Sequence, residues 1–99
     1  MIHHIVMWSL KGSTESEKAV NIAKLRDAFD SIRGKIPGMT HMQIGVDSSR
    51  VDYACDVVLV SAFESQKALD AYALHPEHLR VKDELAGVRV ARHQVDFSS

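Results

Sequence analysis

Apolar side chains recur along the chain with two different spacings, and the changes between them mark the predicted elements. Residues 2–10 and 54–63 are apolar at both odd and even positions, which indicates strands covered on both faces. Residues 39–47 alternate and residues 88–97 mix apolar with charged side chains, as expected at the edges of a sheet. Spacings of three and four predict one long helix after the first strand, with an apolar stripe of Ile22, Leu25, Phe29, Ile32 and Ile36.

Capping signals set the predicted helix boundaries. Thr14 and Glu17 form a capping box at the start of the first helix, and Gly34 with the Ile36-Pro37-Gly38 segment ends it. Ser65 is the expected cap of a second helix that breaks at His75-Pro76. Proline suits the first turn of a new helix, so a third helix is predicted to begin at Pro76 and to close near Gly87.

The element order is therefore strand, helix, strand, strand, helix pair, strand, which predicts an α+β fold. Right-handed crossovers give a split βαβ sheet with the first and third strands in the centre and both crossovers on one face. The uncovered face carries apolar side chains such as Ile5 and Met7. Because such a face is stabilised by a partner, we expect a homodimer formed through the open sheet face.

Composition narrows the function classes. The chain has 99 residues and a formal net charge of −1, which predicts one domain over residues 1–99 and no basic surface for nucleic acid. Its apolar runs are too short for a membrane span, and the N-terminus lacks the pattern of a signal peptide. Cys55 is the single cysteine, so no disulfide is expected, and a cytoplasmic location is the simplest expectation.

Three segments resemble one known family. They are His4-Ile5-Val6 with its apolar continuation, Ile36-Pro37-Gly38-Met39, and Tyr72-Ala73-Leu74-His75-Pro76-Glu77-His78. The last is the most specific, and together they resemble the stress-responsive dimeric α/β-barrel (Dabb) proteins across nearly the whole chain. The resemblance implies a ferredoxin-like βαββαβ sandwich with an antiparallel four-stranded sheet, dimerising into an α/β barrel, and a role in stress response.

The nearest catalytic branch of that family, the olivetolic acid cyclase type, implies a site. Its tyrosine and histidines match Tyr72, His78 and His4, and it closes a polyketide by aldol condensation. An imidazole can remove a proton next to a carbonyl, and a phenol can stabilise the developing oxyanion. Strand and helix spacing place Val6 and Trp8 on the face of His4, and Val81 on the stripe of His78, so these three are the expected ligand-pocket residues.

Less specific interpretations stay open at these positions. Tyr72, His78 and His4 could be core residues whose polar tips find backbone partners, and Cys55 is expected to be a buried structural thiol. His75 is expected to cap a helix, and no metal site is predicted from its spacing to His78. The sequence has no phosphate loop or nucleophile elbow, so no cofactor is expected.

The first functional hypothesis is a homodimeric protein that holds a small apolar or aromatic ligand, with catalysis unassigned. The alternatives are a polyketide cyclase or isomerase-like enzyme with a histidine general base and a tyrosine, and a ferredoxin-like dimeric monooxygenase.

Overall fold

The computed structural model describes residues 1–99 as four strands and three helices. In chain order they are β1 (Ile2–Leu10), α1 (Glu15–Asp30), β2 (Met39–Val46), β3 (Val57–Phe63), α2 (Gln66–Leu74), α3 (Pro76–Leu85) and β4 (Arg89–Ser98). The strands form one antiparallel sheet in the order β2-β3-β1-β4. The predicted α+β ferredoxin-like class, with the first and third strands in the centre, is confirmed. None of the helices combines the length and apolarity that crossing a membrane requires.

The core lies between the helices and one face of the sheet. Alternate residues of β1, among them Val6, Trp8 and Leu10, are buried on this face, because successive strand side chains point to opposite sides. Leu25 and Phe29 of α1 pack against them in a single cluster with Leu85 of α3. The helix-side positions of the edge strand β4 are different, since Arg92 and Gln94 are exposed.

The predicted caps at the helix starts are present. Thr14 Oγ1 accepts from the Glu17 N–H at 3.1 Å, while the Glu17 carboxylate accepts from the Ser13 N–H at 2.6 Å. Ser65 Oγ accepts from the Ala68 N–H at 3.1 Å and caps α2. These contacts satisfy backbone donors that have no partner inside the helix.

The predicted end of the first helix was wrong, because α1 stops at Asp30 and not near Ile36. The next N–H groups bond three residues back, Ile32 to Phe29 and Arg33 to Asp30, so the chain tightens into turns. Ile32 and Ile36 nevertheless stay buried. An apolar stripe therefore continues past the helix without α-helical hydrogen bonding.

The third strand also begins later than predicted. Residues 54–56 precede the strand, and Asp56 connects them to β1 and α1, since its carboxylate accepts from the Leu10 N–H at 2.8 Å and from Lys18 Nζ at 3.0 Å. The half-buried Cys55 therefore lies before β3, and the expectation of a fully buried thiol within a strand was wrong.

The other face of the sheet is open and largely apolar. The register aligns Val60 of β3, Ile5 of β1 and Val95 of β4 in one row across three strands. In the neighbouring row Met7 lies beside Val58. This face has no cover from the helices, because both crossovers run on the opposite side.

Candidate functional site: a pocket between α3 and the sheet

A pocket of about 260 Å³ lies between α3 and the β1–β4 part of the sheet, and we call it the helix–sheet pocket. It is lined by His4, Val6, Trp8, Phe29, Leu59, Tyr72, His78, Val81, Lys82, Leu85, Arg89 and Arg92. All six residues singled out from the sequence are in this lining: His4, Val6, Trp8, Tyr72, His78 and Val81. The fold thus brings side chains from β1, α2 and α3 to one place.

His4 is the buried histidine of the pocket and is oriented by a carboxylate. Its Nδ1 lies 2.6 Å from Oδ1 of Asp96, which stands directly opposite on β4. The other oxygen of Asp96 accepts from Gln94 Nε2 at 2.9 Å. A carboxylate can only accept here, so Nδ1 of His4 carries the hydrogen and Nε2 is the nitrogen left for a ligand or a proton.

His78 is oriented by a backbone carbonyl that the helix break sets free. In a continuous helix the Ala73 carbonyl would accept from the Glu77 N–H, but that N–H donates to His75 Nδ1 at 3.0 Å. His78 Nδ1 lies 3.1 Å from the Ala73 oxygen and donates to it. The predicted cap at His75 is present, and His78 Nε2 is left unprotonated when the ring is neutral.

The two polar groups at the centre of the pocket keep their neutral forms. Burial lowers the pKa of His78, with Lys82 and Arg92 acting in the same direction and the Ala73 hydrogen bond opposing. Burial also raises the pKa of Tyr72 to about 12, against a smaller opposing effect of Arg92. A neutral imidazole and a protonated phenol are the forms needed to accept a proton and to donate a hydrogen bond.

Tyr72 lies between the two histidines. Its ring centre is 6.2 Å from that of His4 and 4.4 Å from that of His78. The Tyr72 hydroxyl is buried and has no hydrogen-bond partner in the protein, and the same holds for Nε1 of Trp8. These two donors are the buried side-chain groups without partners, and both residues line the pocket.

The charged residues of the site are not among the six residues predicted from the sequence. Asp96 and Arg92 are exposed residues on the helix side of the edge strand β4, and only the strand register shows that they lie opposite His4 and Trp8. Lys82 follows His78 by one helical turn, a spacing that could have indicated a shared face. His78 is half-buried, whereas its predicted position on the buried stripe of the helix implied full burial.

A family model described as the stress responsive A/B barrel domain, Dabb, matches residues 2–99. The chain belongs to the Dabb family. No curated protein sequence is significantly similar to this Dabb protein. No group of three or more His, Cys, Asp or Glu side chains converges as a metal site would require.

Solved structures share the fold over almost the full length. A dimeric ferredoxin-like protein of unknown function from Bacteroides fragilis is 25% identical, with a TM-score of 0.86, and the match covers 99% of this chain and 95% of that one. A Dabb protein from Mesorhizobium loti is 23% identical with a TM-score of 0.79, covering 99% and 95%. A hydroxynitrile lyase from Passiflora edulis is 17% identical with a TM-score of 0.78, covering 97% and 90%.

Proposed function

We propose that this Dabb protein is a homodimer that binds a small apolar or aromatic molecule in the helix–sheet pocket. The observation that carries the proposal is the Tyr72 hydroxyl, which is buried beside a cavity without a protein partner. A buried donor without a partner costs about 1–3 kcal/mol, and a bound acceptor would recover part of that cost. The surrounding Val6, Leu59 and Val81 suit an apolar ligand body.

The open sheet face supports the dimer. Burying an aliphatic side chain contributes roughly 1.5–3 kcal/mol, and the row of Val60, Ile5 and Val95 offers several such side chains at once. The Bacteroides fragilis protein with this fold is described as dimeric. A second copy of this chain, packed sheet against sheet, is therefore the proposed partner.

Sedimentation tests the dimer. At micromolar concentration the parent is expected to sediment as a dimer, and Val60→Glu as a monomer, because a carboxylate in the apolar row would lose its hydration on association. Lys24→Glu on the exposed side of α1 is the matched control and should stay dimeric. A parent that sediments only as 11.0 kDa particles would refute the proposed pairing.

A second candidate function is proton transfer on a carbonyl compound, as in a cyclase or isomerase. It is favoured by the orientation of both histidines, whose Nδ1 atoms are engaged so that each Nε2 can act as a base. In the proposed step His78 Nε2 takes a proton from the carbon next to the carbonyl. The C–H electron pair moves into the enolate, and the Tyr72 hydroxyl donates to its oxygen. The Passiflora edulis hydroxynitrile lyase is an enzyme with this fold.

Two measurements separate binding from turnover. Native mass spectrometry with aromatic and polyketide-like acids detects a ligand, and NMR in deuterated water detects exchange of protons next to the carbonyl of a bound ketone. The enzyme candidate predicts that His78→Ala loses exchange by at least about a hundredfold, while Lys24→Ala, exposed on α1 and outside the pocket lining, keeps it. Equal exchange in parent and His78→Ala would eliminate the enzyme candidate and leave ligand binding in place.

Two expectations stay predictions. The cytoplasmic location is one of them. The monooxygenase alternative is the other, and oxygen uptake in the presence of quinols tests it.

A further inference from the structure

We propose that the ligand of the helix–sheet pocket is an amphipathic organic anion whose carboxylate binds at the end of the pocket formed by Lys82, Arg89 and Arg92. This inference rests on the proposed function, since it names the class of ligand for the same pocket. Three cationic side chains line the pocket, and no Asp or Glu does. The protein as a whole carries a formal charge of −1, so this concentration of positive charge is local.

The three cations have no partner within the protein. Arg33, Arg50 and Arg80 are each bound to a carboxylate. Lys82, Arg89 and Arg92, by contrast, take part in none of the ion pairs of the molecule.

The carboxylate on the same strand and face as Arg92 is already engaged. Asp96 lies on the same strand and face as Arg92, but its two oxygens accept from His4 and Gln94. Its distance along β4 from Arg92 is four residues, which an extended strand spaces at roughly 13 Å. The positive charge at this end of the pocket is therefore not neutralised by the protein itself.

A second and independent observation points to an acceptor. Trp8 and Tyr72 are only 4% and 2% exposed, and the Trp8 Nε1–H and the Tyr72 hydroxyl have no partner. Both are donors, and Trp8 stands directly opposite Arg92 in the β1–β4 register. The two unpartnered donors and the three unpaired cations are therefore complementary to the same kind of ligand group. That group has oxygen atoms that accept hydrogen bonds and carry negative charge.

The remaining wall argues against a bare inorganic anion. Phe29, Leu59, Val81 and Leu85 supply an apolar surface beside the charged end. Phosphate would leave that surface in contact with water, whereas an aryl or alkyl chain would cover it. An acid with an aromatic or aliphatic body and a single carboxylate satisfies both ends of the pocket.

Matched probes test the inference on the full-length protein. We would titrate 4-phenylbutanoate, its uncharged amide and inorganic phosphate, and follow the fluorescence of Trp8, the only tryptophan in the chain, together with calorimetry. The acid is expected to bind at least about tenfold more tightly than the amide, since a hydrogen bond to a charged group is worth roughly this factor or more. Phosphate is expected to bind weakly.

Charge variants locate the carboxylate. Arg92→Gln and Arg89→Gln should each weaken the acid by about tenfold and leave the amide unchanged, and higher salt should weaken the acid alone. Arg26→Gln is the matched control, because Arg26 is exposed on α1 and takes part in no ion pair.

The outcomes distinguish the two proposals. If acid and amide bind equally, or the arginine variants do not discriminate between them, the anion inference is wrong and small-molecule binding stands. If phosphate binds as tightly as the acid, the amphipathic ligand is wrong. If neither organic probe binds, both the inference and the proposed ligand pocket are overturned.

Discussion

Replacing Tyr72 with phenylalanine gives the sharpest test of how the pocket works. In an ordinary buried position the tyrosine hydroxyl has a hydrogen-bond partner, and its removal lowers the free energy of unfolding by about 1 kcal/mol. Here the hydroxyl has no partner in the protein. Tyr72→Phe removes that oxygen and keeps the ring in place against Phe63 and His78.

The magnitude follows from the cost of an unsatisfied buried group, which is about 1–3 kcal/mol. Tyr72 lines a cavity with polar walls that can hold water, and a water admitted next to the hydroxyl would recover part of the cost. We therefore expect Tyr72→Phe to raise the free energy of unfolding by about 1 kcal/mol, the lower end of the range. For a domain of this size that corresponds to a melting temperature about 4–8 °C higher.

Urea unfolding at one fixed protein concentration measures the effect, because dimerisation makes apparent stability depend on concentration. Tyr53→Phe is the matched control, since Tyr53 is 87% exposed and is the only other tyrosine. It should change the free energy of unfolding by less than about 0.5 kcal/mol. In parallel, Tyr72→Phe should weaken a carbonyl-containing ligand by about tenfold. A loss of stability of about 1 kcal/mol or more would mean that the hydroxyl is a structural group and would refute the reasoning.

Three further substitutions test the surroundings. Val81→Ala in the pocket wall should lower the free energy of unfolding by about 1.5–2 kcal/mol. Val20→Ala, at an exposed position of α1, should change it by less than about 0.5 kcal/mol. Equal effects of the two substitutions would contradict the assigned core. Burial lowers the pKa of His78 in the folded protein, so the unfolded chain binds the proton more readily and stability falls as the pH drops through about 6.5. His78→Gln should therefore lose less unfolding free energy than the parent between about pH 7.5 and about pH 5.5. An equal loss in both proteins would contradict this effect of burial. Asp96→Ala leaves the buried His4 without its carboxylate and should lower the unfolding free energy by about 1 kcal/mol, which urea unfolding would detect; an unchanged midpoint would show that the contact contributes little.

The sequence predicted most of the fold because the deciding signals are local. Strands with apolar residues on both faces belong in the centre of a sheet, and a serine, a threonine and a His-Pro break fix the helix starts. The end of α1 was missed for a physical reason. Ile32 and Ile36 continue the apolar spacing, yet their burial needs only the spacing and not a continuous helix.

The candidate site also has a part that local sequence predicts and a part that it does not. Tyr72 and His78 stand in one short segment, so their proximity follows from helix geometry and from the family resemblance. The contact of Asp96 with His4 and the position of Arg92 opposite Trp8 depend on the register between the first and last strands, which are separated by most of the chain. No local pattern encodes that register, so these neighbours could not be predicted.

The interruption between α2 and α3 has a consequence for how this pocket can diversify. The imidazole of His78 is aimed by a main-chain oxygen, and that oxygen is free because of the His75-Pro76 step. Substitutions at Val81, Lys82 or Arg92 can therefore alter the shape and charge of the pocket without changing the orientation of the His78 imidazole. A scaffold that fixes one imidazole nitrogen through the main chain keeps the direction of the other, reactive Nε2 while the side chains around it are exchanged.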